Sequence, residues 1–171
     1  MIELAFEIFI NLIETFIMTD FVTRYLETKY TDNKKILGFA LCWITAFTQM
    51  CVMNKITELE TIGAFIPIFI YFTYALIFLK GSIGLKLWIA FFTELIAYVI
   101  ALITNLIICY IIGYNPSDMI SVFNNTRIIG VIITKMMLFY TTRIILKNKY
   151  KYSLNKYKWL MLICMPVISL I

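Results

Sequence analysis

Apolar and polar residues occur in alternating blocks along this chain. Six apolar stretches are separated by short polar ones, and they fall near residues 4–23, 36–53, 61–79, 85–112, 127–146 and 159–171. Their high Ile, Leu and Phe content with few charges favours helices over the alternating pattern of a barrel strand. About 20 helical residues cross a hydrocarbon core that is ~30 Å thick. The pattern therefore predicts an all-α, polytopic membrane bundle with five full transmembrane helices and a truncated sixth.

Composition supports a membrane protein. Hydrophobic residues make up 62% of the 171 residues and charged residues 15%, which is more apolar surface than a soluble domain of this size can cover. The net charge is +5, but the basic residues lie between apolar stretches and do not form one face. We therefore expect the lipid bilayer as partner, with anionic headgroups beside the basic residues, and no nucleic acid.

The cysteine and histidine content limits the kinds of site that this chain can form. The chain has no His, and its four cysteines lie inside apolar stretches without CxxC spacing: Cys42, Cys51, Cys109 and Cys164. This pattern indicates buried thiols rather than disulfides or metal ligands. No phosphate-binding loop or nucleophile with an adjacent base is visible. We expect no metal, no cofactor and no catalytic site in this chain.

The distribution of Lys and Arg predicts the orientation. The first, third and fifth polar segments carry twelve of these residues, whereas the second and fourth carry only Lys55 and Arg127. The twelve are Arg24, Lys29, Lys34, Lys35, Lys80, Lys86, Arg143, Lys147, Lys149, Lys151, Lys156 and Lys158. Because cytoplasmic loops are rich in Lys and Arg, the N-terminus is predicted to lie outside a multi-pass cell-membrane protein. Residues 1–171 are predicted to form one transmembrane domain.

The last apolar stretch is short for a crossing. Residues 159–171 would reach ~20 Å as a helix, less than the hydrocarbon core. We therefore expect the chain to be the front part of a longer protein. Since this stretch heads outward, a cytoplasmic domain attached after it needs a further crossing.

Charged residues within the apolar stretches are candidates for function. The first stretch carries an acidic stripe within about 80 degrees of helical arc, made of Glu3, Glu7, Asn11 and Glu14. An unpaired carboxylate at the depth of Glu14 costs ~3 kcal/mol or more. Lys135 lies midway along its stretch, so we expect it to pair with Glu14 first and with Glu94 second. Such a pair either fixes helix packing and register or forms part of a switch or an ion path.

A polar face is also predicted on the fourth stretch. Its members lie three or four residues apart: Ala90, Glu94, Ala97, Ala101 and Asn105. Small residues at this spacing allow a neighbouring helix to approach closely, so the face should point into the bundle. The predicted intramembrane polar network thus comprises Glu14, Glu94, Lys135 and Asn105.

The longest predicted outer loop offers a second candidate site. It runs from residue 114 to residue 126 and contains Tyr114, Met119, Ile120 and Phe123. These side chains can lie in the membrane interface.

Several loose features resemble one family of receptors. They are Ile-Glu-Thr-Phe-Ile at 13–17 with Arg24-Tyr-Leu after it, Glu94-Leu-Ile, Ile-Thr-Lys-Met-Met-Leu-Phe at 133–139, and Lys-Trp-Leu-Met-Leu-Ile-Cys-Met-Pro at 158–166. With the predicted topology, the whole chain resembles the N-terminal membrane sensor region of Gram-positive peptide quorum-sensing histidine kinases. These are of the accessory-gene-regulator sensor type and carry a GHKL ATPase domain.

The resemblance implies a function in two-component signal transduction. In such kinases an extracellular signal, here a peptide, is recognised at the outer side, and helix movement passes to a cytoplasmic portion that dimerises and binds ATP. For this chain the resemblance implies signal contacts in the outer loop, with the membrane interface as the alternative place for these side chains: Tyr114, Met119, Ile120 and Phe123. The cytoplasmic portion, with its phosphoaccepting His, is absent from these 171 residues. The resemblance therefore implies a sensor domain without enzyme activity of its own, belonging to a homodimeric full-length kinase.

Two other classes of protein remain open. A small transporter, such as the vitamin-binding membrane subunit of an energy-coupling system, has similar length and would use Glu14, Glu94 and Lys135 as a substrate or ion site. A membrane peptidase that processes signal peptides would pair a Cys with a His, and the lack of His argues against it.

Overall fold

The described part of the protein is helical. The structure, a computed structural model, describes residues 2–53, 65–112 and 125–149. Within these ranges the chain forms five helices: α1 (Ile2–Leu26), α2 (Asp32–Met53), α3 (Ile66–Phe78), α4 (Ile83–Ile112) and α5 (Asn125–Lys149). The same ranges contain no strand beyond one isolated bridge between two loops. The prediction of an all-α fold is confirmed for these residues.

Three helices have the length and composition needed to cross a membrane. They comprise Asn33–Met53, Ile83–Ile111 and Asn125–Lys149. Helix α3 is apolar but covers 13 residues, and α1 has 25 residues but recurrent charges. The helices thus indicate a membrane protein, with fewer crossings by this criterion than the five predicted. The sixth predicted stretch, 159–171, lies outside the described residues, as does the start of the third at 61–64.

Local backbone conformation determines where the helices end. Helix α1 stops at Leu26 because Glu27 adopts the left-handed conformation, with φ 61°, while its N–H still donates to the Thr23 carbonyl at 3.0 Å. Pro67 lies in the first turn of α3. A proline costs little there, since its missing N–H would have no partner within the helix.

Two loops are joined at one end of the bundle. The Lys29 N–H donates to the Phe78 carbonyl at 2.8 Å, and the Lys80 N–H donates to the Glu27 carbonyl at 2.9 Å. Thr28 and Leu79 are thereby paired as in an antiparallel sheet. The α1–α2 loop and the α3–α4 loop therefore lie at the same end. We call this the basic end, because these loops, the helix ends that flank them and the end of α5 together carry nine of the eleven Lys and Arg residues of the described chain.

Helix α1 is the most enclosed of the five described helices. Each helix packs against the next in chain order, α5 closes against α1, and α1 also contacts α3 and α4. The buried side chains of α1 are Ile10, Asn11, Thr15, Ile17, Met18, Thr19, Phe21, Val22, Thr23 and Leu26. On α4, by contrast, large apolar side chains such as Ile103, Leu106 and Ile111 are exposed. Helix α1 thus buries ten of its described side chains, and four of these are polar.

Candidate functional site

Helices α1 and α5 are joined along their length by ion pairs. The pairs are Arg127 with Glu7 at 2.6 Å and Glu3 at 3.4 Å, Lys135 with Glu14 at 2.5 Å, Arg143 with Asp20 at 3.1 Å, and Lys149 with Glu27 at 3.1 Å. We call this set the charge ladder. Every cation of the set belongs to α5. The acids belong to α1, except Glu27, which directly follows the last residue of α1. One helix therefore supplies one sign of charge.

The register of the charge ladder shows that α1 and α5 run parallel. The separation in sequence is 124 and 120 residues for the two Arg127 contacts, 121 for Lys135 with Glu14, and 122 for Lys149 with Glu27. A nearly constant separation requires both helices to advance in the same direction at the same rate. From Arg127 to Lys149 the helix rises ~33 Å. The charge ladder therefore extends over about the thickness of a hydrocarbon core.

Burial differs along the charge ladder. The side chains of Lys135 and Glu14 are 16% and 12% exposed, whereas those of Glu3 and Glu27 are 50% and 51% exposed. Hence the central pair is shielded and the ends are solvated. The expected pairing of Lys135 with Glu14 is present, and it lies at the least exposed level of the charge ladder. Its role in signalling or transport stays a prediction.

Glu94 lies beside this pair without joining it. Its side chain is half-buried, and its carboxylate is near enough to Glu14 to interact with it electrostatically. Within residues 2–53, 65–112 and 125–149 it makes no hydrogen bond or ion pair. The second expected pairing, Glu94 with Lys135, is therefore not formed. Lys135 pairs instead with Glu14, which comes from a helix parallel to its own.

Asn105 does not join a polar network with the other described residues. Its side chain is exposed and has no hydrogen bond among them. Ala90 is fully buried and Ala97 and Ala101 are half-buried, so the predicted face points inward over its first part. Because residues 90 and 105 differ by about 60 degrees of helical arc, Asn105 lies at the edge of this face. The membership of Asn105 in an intramembrane polar network therefore stays a prediction.

The predicted signal-contact residues lie outside the described ranges. This applies to Tyr114, Met119, Ile120 and Phe123. Their role stays a prediction from the sequence. Arg127 is the member of the charge ladder that lies nearest to that loop in sequence, two positions after the start of α5.

A buried polar seam on α1 was not expected from the sequence analysis. Thr15, Thr19 and Thr23 are buried, and each hydroxyl donates to the carbonyl four residues earlier, at 2.8, 2.7 and 2.6 Å. The Thr23 hydroxyl is also 2.9 Å from the Tyr74 hydroxyl on α3. The signal was present as Thr at every fourth position. Threonines that bond to their own helix can be buried without a partner on another helix.

Two side-chain hydrogen bonds join α2 to α1. Thr45 and Thr48 of α2 take no part in them, because their hydroxyls donate to the Leu41 and Ile44 carbonyls of their own helix. The bonds that do cross are donated by the Trp43 indole N–H to the Leu12 carbonyl at 3.2 Å and by the Asn11 amide to Cys51 Sγ at 4.0 Å.

The charge ladder is suited to transmitting movement. Shifting α5 along α1 by one helical turn, ~5.4 Å, would separate every cation from its acid. Separating a shielded pair such as Lys135 and Glu14 leaves two uncompensated charges. Movement of one helix along its axis should therefore carry the other with it. In the described ranges no group of three His, Cys, Asp or Glu residues could hold a metal ion.

Comparison with known proteins adds no assignment. No protein-family model, no curated protein and no solved structure matches the chain.

Proposed function

We propose that this chain is the membrane-embedded signal-sensing domain of a bacterial two-component sensor histidine kinase. It receives an extracellular signal, a peptide, at the end where α1 begins, and relays it by helix movement to the basic end, which lies in the cytoplasm. The resemblance carried by the residues around Glu14, Glu94 and Lys135 supports this proposal. The kinase activity would belong to a cytoplasmic portion of a longer, homodimeric protein.

The charge ladder is the observation that carries the proposal. It connects Arg127, next to the predicted signal-contact loop, with Lys149 at the basic end, over ~33 Å. Helix α5 leads directly into the basic segment 147–158, through which the chain continues. A helix locked to its neighbour at four levels moves as a unit, which is what a relay across a membrane requires.

The proposal includes five crossings with the N-terminus outside. Helix α1 would cross despite its charges because the other helices enclose it, so its polar groups meet protein rather than lipid. It runs parallel to α5, which has the length and composition of a membrane span. The joined loops at Thr28 and Leu79 are the ones that the distribution of Lys and Arg predicts to be cytoplasmic.

One observation favours a second candidate, the transporter. Glu94 is a half-buried carboxyl group beside the central ion pair, with no partner among the described residues. Such a group is suited to binding a proton or a cation on an ion path. A transporter of vitamin-binding type would use it together with Glu14 and Lys135.

Substitution of Lys135 in the native host distinguishes the sensor function from the transporter function. The strains would carry the wild-type gene, Lys135→Ala or Lys135→Arg, and each would be grown in fresh medium and in medium conditioned by a dense culture. The measurements are the transcript profile and the uptake of labelled vitamins. The Lys135→Arg variant keeps the charge and serves as the matched control.

The proposed sensor predicts that Lys135→Ala abolishes the transcript response to conditioned medium, that Lys135→Arg retains it, and that uptake stays unchanged in both. A transcript response that persists in Lys135→Ala, together with reduced uptake of one vitamin, would overturn the sensor and support the transporter. Unchanged transcripts and uptake in all strains would contradict both functions for this residue.

A further inference from the structure

A cavity opens between α1, α2 and α5 at the basic end. Its volume is ≈ 770 Å³, within the range of about 300–1,000 Å³ typical of small-molecule sites. Its lining residues are Asp20, Thr23, Arg24, Glu27, Thr28, Lys35, Phe39, Arg143, Leu146 and Lys147. None of the residues of the central ion pair contributes to it. The cavity is therefore separate from the site at Lys135.

The lining has an excess of positive charge. It contains four cations and two acids, for a net charge of +2. Asp20 holds two of the cations, with one oxygen 2.7 Å from Arg24 Nε and the other 3.1 Å from Arg143 Nη2. Each guanidinium keeps further N–H donors in a planar arrangement that matches phosphate oxygens. Asp20 thus places two arginines side by side without occupying all their donors.

Two lysines of the lining remain available for a ligand. Lys35 and Lys147 are exposed, and neither makes an ion pair with another described residue. The other acid of the lining, Glu27, is paired with Lys149. Thr28 adds a hydroxyl group that has no hydrogen bond within the described part of the chain. Both acids of the lining, Asp20 and Glu27, are thus paired with cations, while these two lysines are not paired with a described residue.

The lining also has an apolar part. Phe39 and Leu146 contribute hydrocarbon surface beside the cations. A free phosphate ion gains nothing from such surface, whereas the glycerol and upper acyl carbons of a phospholipid do. The position also fits, since the cavity lies at the end of spans α2 and α5, level with a headgroup region. Anionic lipids are the expected neighbours of basic residues at the cytoplasmic surface.

We propose that this cavity binds the phosphate headgroup of one anionic phospholipid. The phosphate contacts Arg24 and Arg143 together with Lys35 and Lys147, and the glycerol region contacts Phe39 and Leu146. Because the site joins α1, α2 and α5, the bound lipid stabilises their packing at the basic end. The proposal does not depend on the sensor function, although it rests on the same membrane orientation.

Native mass spectrometry of the full chain tests the proposal. The protein would be purified in detergent and titrated with phosphatidylglycerol or, at equal concentration, phosphatidylcholine. The test variant is Lys35→Gln with Lys147→Gln. The matched control is Lys34→Gln with Lys80→Gln, which removes the same charge from exposed lysines of the same end that do not line the cavity. A third arm adds millimolar inorganic phosphate as competitor.

We expect one phosphatidylglycerol to be retained with preference over phosphatidylcholine. Its apparent affinity should fall on the order of tenfold in the test variant and remain near wild type in the control. Equal losses in both variants would show general attraction to positive charge and overturn a defined site. Full displacement by inorganic phosphate would show a site for the free ion and overturn the lipid. Equal binding of both lipids would overturn headgroup recognition.

Discussion

The Nζ atom of Lys135 lies 2.5 Å from Oε2 of Glu14, although 121 residues separate the two in sequence. Both side chains are mostly buried, at 16% and 12% exposure. The contact joins the first and the last of the five described helices and closes the bundle. Its two residues are also the ones whose charges would cost most in a bilayer if separated.

Removing one member of this pair should destabilise the bundle more than removing both. We expect Lys135→Met to lower the free energy of unfolding by about 3 kcal/mol, because Glu14 is left uncompensated. Glu14→Leu combined with Lys135→Met should recover most of that loss, since no charge then remains. Unfolding measured in lipid bicelles checks both values. Lys80→Met, at an exposed position, is the control, and equal stability of the single and double variants would refute the coupling.

The cost of losing an ion pair should follow its burial along the charge ladder. Glu3→Gln and Glu27→Gln remove acids that are about half exposed, so each should change the free energy of unfolding by less than ~1 kcal/mol. Raising the salt concentration should weaken these outer contacts and leave the Glu14 contact nearly unchanged. The same bicelle assay at low and high salt makes the comparison. Losses of equal size at all levels would contradict the burial gradient.

Two glycines provide a matched test of how closely α2 and α3 approach. A Cβ at Gly38 would lie 2.5 Å from Phe78 Cδ1, whereas a Cβ at Gly84 would meet nothing within 4 Å. We expect Gly38→Ala to destabilise the bundle by about 1–3 kcal/mol through overpacking. Gly84→Ala should be neutral or slightly stabilising, because alanine favours a helix. Thermal unfolding of both variants in the same detergent measures the difference. A Gly38→Ala variant as stable as the wild type would show that α2 and α3 are farther apart.

The joined loops at the basic end can be tested by a disulfide. The hydrogen bonds that flank Thr28 and Leu79 make them a non-hydrogen-bonded antiparallel pair, with Cα atoms ~4.5 Å apart. That distance suits a disulfide. Thr28→Cys with Leu79→Cys, in a chain whose native cysteines are replaced, should therefore form one on mild oxidation. Thr31→Cys with Leu79→Cys serves as control, and mass analysis after thiol labelling measures the yield. Equal yields in both would contradict the bridge.

Much of the helical layout could be predicted from the sequence, because hydropathy and helical periodicity depend on local composition. The second predicted stretch began at residue 36 and α2 begins at Asp32, while the fourth began at residue 85 and α4 begins at Ile83. The pairing of Lys135 with Glu14 could also be predicted, since both lie at similar depth and an unpaired charge at that depth is costly.

Other contacts could not be predicted because they depend on which helices are neighbours. Asp20 with Arg143 and Glu27 with Lys149 become partners only once α5 is placed parallel to α1. The local sequence around these residues does not indicate that α5 lies parallel to α1. Glu94 shows the reverse case, because it has suitable depth and charge, yet another helix supplies the partner of Lys135.

We propose that the charge ladder carries movement from the end where α1 begins to the basic end. Spin labels at exposed positions of the basic end, Leu37→Cys on α2 and Ile144→Cys on α5, report the distance there by pulsed electron paramagnetic resonance. Arg127→Glu perturbs the far end by repelling Glu3 and Glu7. The account predicts that this substitution shifts the Leu37–Ile144 distance, and that the shift disappears when Glu14→Leu and Lys135→Met uncouple the middle. An unchanged distance in the coupled protein, or an equal shift in the uncoupled one, would contradict it.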